Sequence, residues 1–172
     1  MKGKSVMRIV FIDFEASGVS PYSWPIEIGC AWIADGEARS RASLIRPDPH
    51  WPEDAWSPQS AEIHGIPRSA LDAAPPAAEV AAAFLPLLRS ARLVSDAPEY
   101  DQRWLDRLVA VTPESAALRI ADFDILAHSS FATRALDWVY ESLNRSRAPH
   151  RAEADARRLA RAWMAGARAA GR

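Results

Sequence analysis

The sequence predicts an α/β domain built on a mixed β-sheet, its first three strands antiparallel, flanked by α-helices. Three observations carry that prediction. Met7 to Phe14 is a run of β-branched and aromatic residues, as in a buried strand. Asp35-Gly36 stands between two further strand-like stretches as a two-residue hairpin signal. Beyond Pro76, segments of helical period alternate with short strand-like runs, an order that puts helices against a partly parallel sheet.

Taken in order, Met7 to Phe14 ends at the breakers Gly18 and Pro21, so Asp13 and Glu15 fall at the C-terminal end of a strand. Ile26 to Ala34 and Glu37 to Ile45 form the hairpin arms. Pro47 to Pro76 has recurrent prolines and tryptophans without a period and reads as an irregular excursion, with a helical turn near Pro58 to His64. Ala77 to Arg89 is helical by its alanine and leucine content, with Pro86 expected to kink or end it. Arg92 to Ser95 is a brief strand, and Glu99 to Val111 is a helix with Tyr100, Trp104, Leu105 and Leu108 on one stripe. Arg119 to Phe123 suggests a last short strand. Phe131 to Leu143 and Arg151 to Ala169 read as two helices separated by Ala148-Pro149-His150.

A chain of 172 residues has the size of one domain, spanning 1–172, and buries roughly 70% of the surface its unfolded form exposes. Its hydrophobic share of 49% and charged share of 25% are those of an ordinary globular protein, which argues against disordered or collagen-like sequence. No apolar run approaches the roughly 18 residues of a membrane span, so no membrane partner is expected. Met1 to Ser5 lacks the features of a cleavable signal, which makes a cytoplasmic location the expectation. With Cys30 as the single cysteine, an internal disulfide and a cysteine-based zinc site are both excluded. The net charge of −1 is unhelpful for binding a polyanion, but its distribution is uneven. From Arg134 onward nine arginines face four acids, either as a solvated helical face or as a basic surface.

Three segments carry chemistry-bearing residues. Asp13-Phe14-Glu15 places two carboxylates on one side of an extended chain while Phe14 points to the other. Two like charges held that close favour a cation between them, and hard oxygen donors suit Mg²⁺ or Mn²⁺ better than zinc. Alone, the pair reads as well as two solvated acids at a strand end. Asp101 lies in the first turn of its helix, where any acid is favourable. His150 and Asp155 stand far enough apart on a helix start to share one rim, although an isolated histidine after proline is ordinarily a surface or capping residue.

Together, and in this order, Phe11-Ile12-Asp13-Phe14-Glu15-Ala16-Ser17-Gly18, Asp101 and His150-x-x-x-x-Asp155 resemble the motifs of the DnaQ-like, or DEDDh, family of 3′→5′ exonucleases. The likeness covers a motif-bearing core of about 8–165. Pro25-Ile26-Glu27-Ile28-Gly29 looks like the strand after the first motif, and Ile63-His64-Gly65-Ile66 like a short substrate-side loop. One departure is Ser95-Asp96, where relatives often carry His-Asn; it alters the hydrogen bonding expected around Asp101, and Asp96 offers one more acid near the metals.

The resemblance implies an RNase H-like fold and two ions of Mg²⁺ or Mn²⁺ held by Asp13, Glu15, Asp101 and Asp155. It implies His150 as the general base, an imidazole being suited to that task near neutral pH. The expected reaction removes nucleoside 5′-monophosphates from the 3′ end of single-stranded RNA or DNA. Ala16, Ser17 and Gly18 would let a terminal nucleotide approach the backbone, and His64 and Ile66 would wedge or stack on its base. For Ile66 the alternative is an apolar anchor of its own loop. Arg157 and Arg158 are candidates to follow the strand's phosphates. The competing functional readings are a proofreading-type subunit and a catalytically silent nucleic-acid-binding or polymerase-docking module. Trp51 to Trp56 offers aromatics either for a homodimer interface or for packing on its own domain.

Overall fold

The computed structural model describes residues 7–113 and 117–171. Strands β1 (Arg8–Ala16), β2 (Pro25–Ala34), β3 (Glu37–Leu44), β4 (Ala91–Ser95) and β5 (Ile120–Asp122) form one sheet in the order β3-β2-β1-β4-β5. The first three strands are antiparallel, and β4 and β5 join in parallel, as predicted. The helices are α1 (Pro58–His64), α2 (Ala77–Arg89), α3 (Pro98–Ala110), α4 (Phe123–Ser130), α5 (Thr133–Asn144) and α6 (Ala152–Ala169). None is long and apolar enough to cross a membrane.

β1 is central, and its apolar run follows from that position: Val10, Phe11 and Ile12 are fully buried because both faces are covered. Val10, Ile12 and Phe14 pack with α2 and α3, whereas Phe11 packs with α4, α5 and α6. The hairpin joining β2 and β3 turns at Asp35 and Gly36, both in the left-handed region at φ 54° and 74°, as a two-residue turn of this twist requires.

Two expectations are corrected. Pro86 does not end α2, which runs on to Arg89. Pro86 lies on the solvent face, as does Ala82, whose carbonyl loses its helical donor and can turn to water. The buried stripe of Val80, Phe84, Leu85 and Leu88 packs on both sides of Pro86 and carries the helix past it. The segment after β5 is a helix the periodicity missed: Asp122 caps α4 by accepting from the Ile125 amide at 2.8 Å, and Phe123 is fully buried.

The excursion 47–76 contains α1 and two short 3-10 turns. Its tryptophans pack on their own domain: Trp51 and Trp56 both lie against Trp24, at centroid distances of 6.1 and 5.9 Å, and Trp24 Nε1 donates to the Pro52 carbonyl. The aromatic basis for a homodimer is therefore absorbed into the fold.

Candidate active site

The site grows from the last residues of β1. Strand alternation sends Phe14, 4% exposed, into the cluster with α2 and α3. Asp13 and Glu15 take the opposite face, where α6 begins. Asp13 is paired with Gly29 of β2, and a Cβ at Gly29 would come within 2.1 Å of the Ala152 backbone. Only glycine permits this contact, which seats the first turn of α6 on the sheet beside Asp13. Asp155 is thereby delivered to the two β1 acids. Its Oδ2 accepts from the Arg151 amide at 3.1 Å, closing the helix start, while its Oδ1 is buried without a partner among the described residues.

One oxygen from each of Asp13, Glu15 and Asp155 lies within 4.8 Å of the others. Such crowding disfavours ionisation. Burial, then Asp101, Glu15 and Asp155, raise Asp13 well above the ordinary carboxylate range. Burial, followed by Asp155 and Glu27, pushes Glu15 up to about 8. Asp155 is raised by burial, with the Arg151 amide and His150 opposing. A compact all-oxygen donor set whose carboxylates stay raised despite Arg151, His150 and Arg158 nearby, with one buried carboxylate oxygen unpartnered among the described residues, fits a hard divalent cation.

Asp101 stands just outside this trio. It is 1% exposed in the first turn of α3 and accepts from Ser95 Oγ and from the Phe14 amide. Burial pushes it up to about 7 despite these donors. Ser95, in place of the expected histidine, is itself fully buried and also accepts from the Ala97 amide at 3.0 Å. The departure at Ser95-Asp96 thus preserves a donor to Asp101. Asp96 faces Arg158 at 3.8 Å and is not one of the convergent three.

His150 is exposed at the rim, immediately before α6, with φ at 53°. Its neighbour Arg151 is anchored from below. Glu27, buried on β2 directly across from Glu15, receives Arg151 Nε at 3.0 Å, Arg151 Nη2 at 2.7 Å and the Ala152 amide at 3.0 Å. This clamp fixes the chain that leads out of His150 into the helix. In the sequence Glu27 stands out only as part of a strand and Arg151 only as part of a charge excess. The signal that would have found them is a glutamate inside the apolar run Pro25 to Gly29.

The expected substrate-side residues Ala16, Ser17, Gly18, His64 and Ile66 are all buried. Ser17 Oγ accepts from the Trp24 amide at 3.0 Å, and a Cβ at Gly18 would lie 3.3 Å from the Ala55 carbonyl oxygen and from Ser57 Cβ. The loop is held by α3, where Trp104 Nε1 donates to Ser23 Oγ and Arg107 to the Ser23 carbonyl. Ile66, 3% exposed, packs with Trp24, Ile26 and Leu71, so its side chain is the loop anchor and offers no free face to a base. His64 is 5% exposed, edge-on to Trp56; its Nδ1 accepts from the Ile66 amide, which leaves the proton on Nε2, buried without a partner among the described residues.

A mixed sheet with an acidic centre where β1 meets α6 defines an RNase H-like fold. The exonuclease (RNase T) family model matches residues 10–163, and the chain belongs to that family. No curated protein matches by sequence. Among solved structures, the chain is similar to zinc-bound E. coli exonuclease I in complex with single-stranded DNA, at TM-score 0.66 and 14% identity over 94% of this chain and 40% of that one. Exonuclease I from Methylocaldum szegediense matches at TM-score 0.67 and 13% identity, over 93% and 40%. Exonuclease X in complex with 5′-overhanging duplex DNA matches at TM-score 0.63 and 19% identity, over 95% and 93%. The chain thus spans 40% of these exonuclease I chains and nearly the length of exonuclease X.

Proposed function

We propose that this chain is a metal-dependent 3′→5′ exonuclease that removes nucleoside 5′-monophosphates from single-stranded nucleic acid. The observation that carries the reading is the convergence of Asp13, Glu15 and Asp155 within 4.8 Å, with Asp155 Oδ1 buried and unpartnered among the described residues. These three residues would hold Mg²⁺ or Mn²⁺, with Asp101 supporting the site beside Asp13. When bound, divalent ions supply Lewis-acid polarisation of the phosphodiester and lower the cost of ionising water. His150 accepts a proton from water as its oxygen bonds to phosphorus, the bond from phosphorus to the 3′ oxygen breaks, and the 5′-phosphate leaves with the terminal nucleoside. The exposed position of His150 leaves its ring free to meet the substrate, and the Glu27–Arg151 clamp limits how far the segment strays. Ala16, Ser17 and Gly18 follow the acids directly, so a terminal nucleotide at the metal centre would meet this segment first.

The test is to incubate 5′-labelled RNA and DNA strands of matched sequence with Mg²⁺ or Mn²⁺, beside Asp13→Ala and His150→Ala. A ladder shortening from the 3′ end with the wild type, absent in Asp13→Ala, is expected. Wild-type protein that leaves both strands intact, or equal activity in Asp13→Ala, defeats the reading.

A further inference from the structure

Much of the positive charge at the C-terminal end is already spent within the fold. Arg151 is bound to Glu27, and Arg157 reaches Ser40 Oγ at 3.3 Å and Glu153 at 4.0 Å. Arg158 donates to the Ser146 and Leu143 carbonyls at 3.1 and 3.4 Å and faces Asp96. Arg157 and Arg158, the candidates from sequence, are thus the engaged ones. Arg147 and Arg161 are exposed and make no hydrogen bond or ion pair among the described residues.

These two arginines share a cavity of about 290 Å³ between the α5–α6 connection and the second turn of α6. Arg158 and the hydroxyl-bearing Ser142 and Ser146 also line it, and none of its described lining residues is acidic. A second cavity, of about 450 Å³ on the other side of α6, shares Arg161 but includes Glu27 and Glu153, which pair its remaining arginines. The uncompensated charge therefore belongs to the first cavity. Pro149 and Ala154, the chain neighbours of His150 and Asp155, lie in its wall.

We propose that this cavity is a second phosphate-binding subsite that takes the backbone phosphodiester of the nucleic-acid strand beyond its reacting end. The inference rests on the reading of the chain as a nuclease. Guanidinium groups bind phosphate with paired, charge-assisted hydrogen bonds, and serine hydroxyls add neutral donors. Arg161 is six residues along α6 from Asp155, a rise of about 9 Å. Six residues also turn about 240° round the helix, so a strand with its terminal phosphodiester at the acidic centre would meet Arg161 by rising along α6 and bending round to its exposed face.

The experiment compares the wild type with Arg147→Gln/Arg161→Gln, two exposed positions whose exchange leaves the core untouched. Binding of a fluorescent single strand is followed by anisotropy in EDTA across a salt series, with thermal melting as the check on folding. Losing two phosphate contacts flattens the slope of log binding constant against log salt by about 1.4. Hydrolysis of the p-nitrophenyl ester of thymidine 5′-phosphate in Mn²⁺, a substrate with a single phosphodiester, is expected at the wild-type rate. An unchanged slope, no binding of the strand by the wild type, or an equal loss on the ester overturns the subsite. Wild-type protein that binds with the steeper slope but hydrolyses neither substrate leaves the subsite standing and defeats the exonuclease reading instead.

Discussion

Glu27 and Arg151 meet as a two-point ion pair, 2.7 and 3.0 Å long, between the second strand and the residue that follows His150. The glutamate is buried and the arginine half exposed, so removing the acid leaves a guanidinium that can return to water. Glu27→Ala is expected to cost about 1–3 kcal/mol in denaturant unfolding, the worth of hydrogen bonds to charged groups. Release of the His150 segment should lower kcat about ten- to a hundredfold, as small misplacements of a catalytic group do. Wild-type kcat in a folded Glu27→Ala protein would remove the clamp from the account.

The crowded carboxylates make the metal-free fold sensitive to pH. Glu15 is pushed up to about 8 and Asp101 to about 7, and Asp13 and Asp155 are also raised. In the unfolded chain these groups ionise near about 4. Between those values the folded protein binds more protons than the unfolded one, so stability falls as pH rises from about 4 to about 8. Thermal melting in EDTA should show that decline, and saturating Mn²⁺ should flatten it. Stability of the metal-free protein that is level or rising over this interval contradicts the assignment.

His150 separates chemistry from metal binding. His150→Ala should lose about 10²–10⁴ in turnover, the usual worth of general acid–base catalysis, with Mn²⁺ affinity unchanged. Comparing the rate with a Mn²⁺ titration on the same preparation checks this. A variant that keeps its rate would remove the histidine from the mechanism.

Gly29 tests the seating of α6. A methyl group there meets the Ala152 backbone at 2.1 Å, and backbone cannot rotate aside as a side chain can. Gly29→Ala should destabilise by about 1–3 kcal/mol or more, with loss of Mn²⁺ binding as Asp155 is displaced. A protein of wild-type stability and affinity would show that the contact is loose.

Where local pattern decides, the sequence was readable. Asp35-Gly36 specified its hairpin, and Asp13-Phe14-Glu15 specified its faces, because a strand has a fixed period and Phe14 has one place to go. What pattern could not supply was tertiary. Pro86 is tolerated because its face of α2 meets solvent, and α4 hides in a segment where only Asp122 signals a start. Glu27 and Arg151 lie 124 residues apart in sequence, and the burial of Ile66 depends on Trp24 and Ile26, which no local window joins to it. The site's acids were legible from their order; their separation into a convergent trio with Asp101 beside it required the sheet.

The central claim is that Asp13, Glu15 and Asp155 form a divalent-metal centre, and calorimetric titration of Mn²⁺ tests it most directly. The wild type and His150→Ala should bind Mn²⁺, while Asp13→Asn and Asp155→Asn, folded by their melting curves, should not. Undiminished binding by either aspartate variant, or none by the wild type, would contradict it.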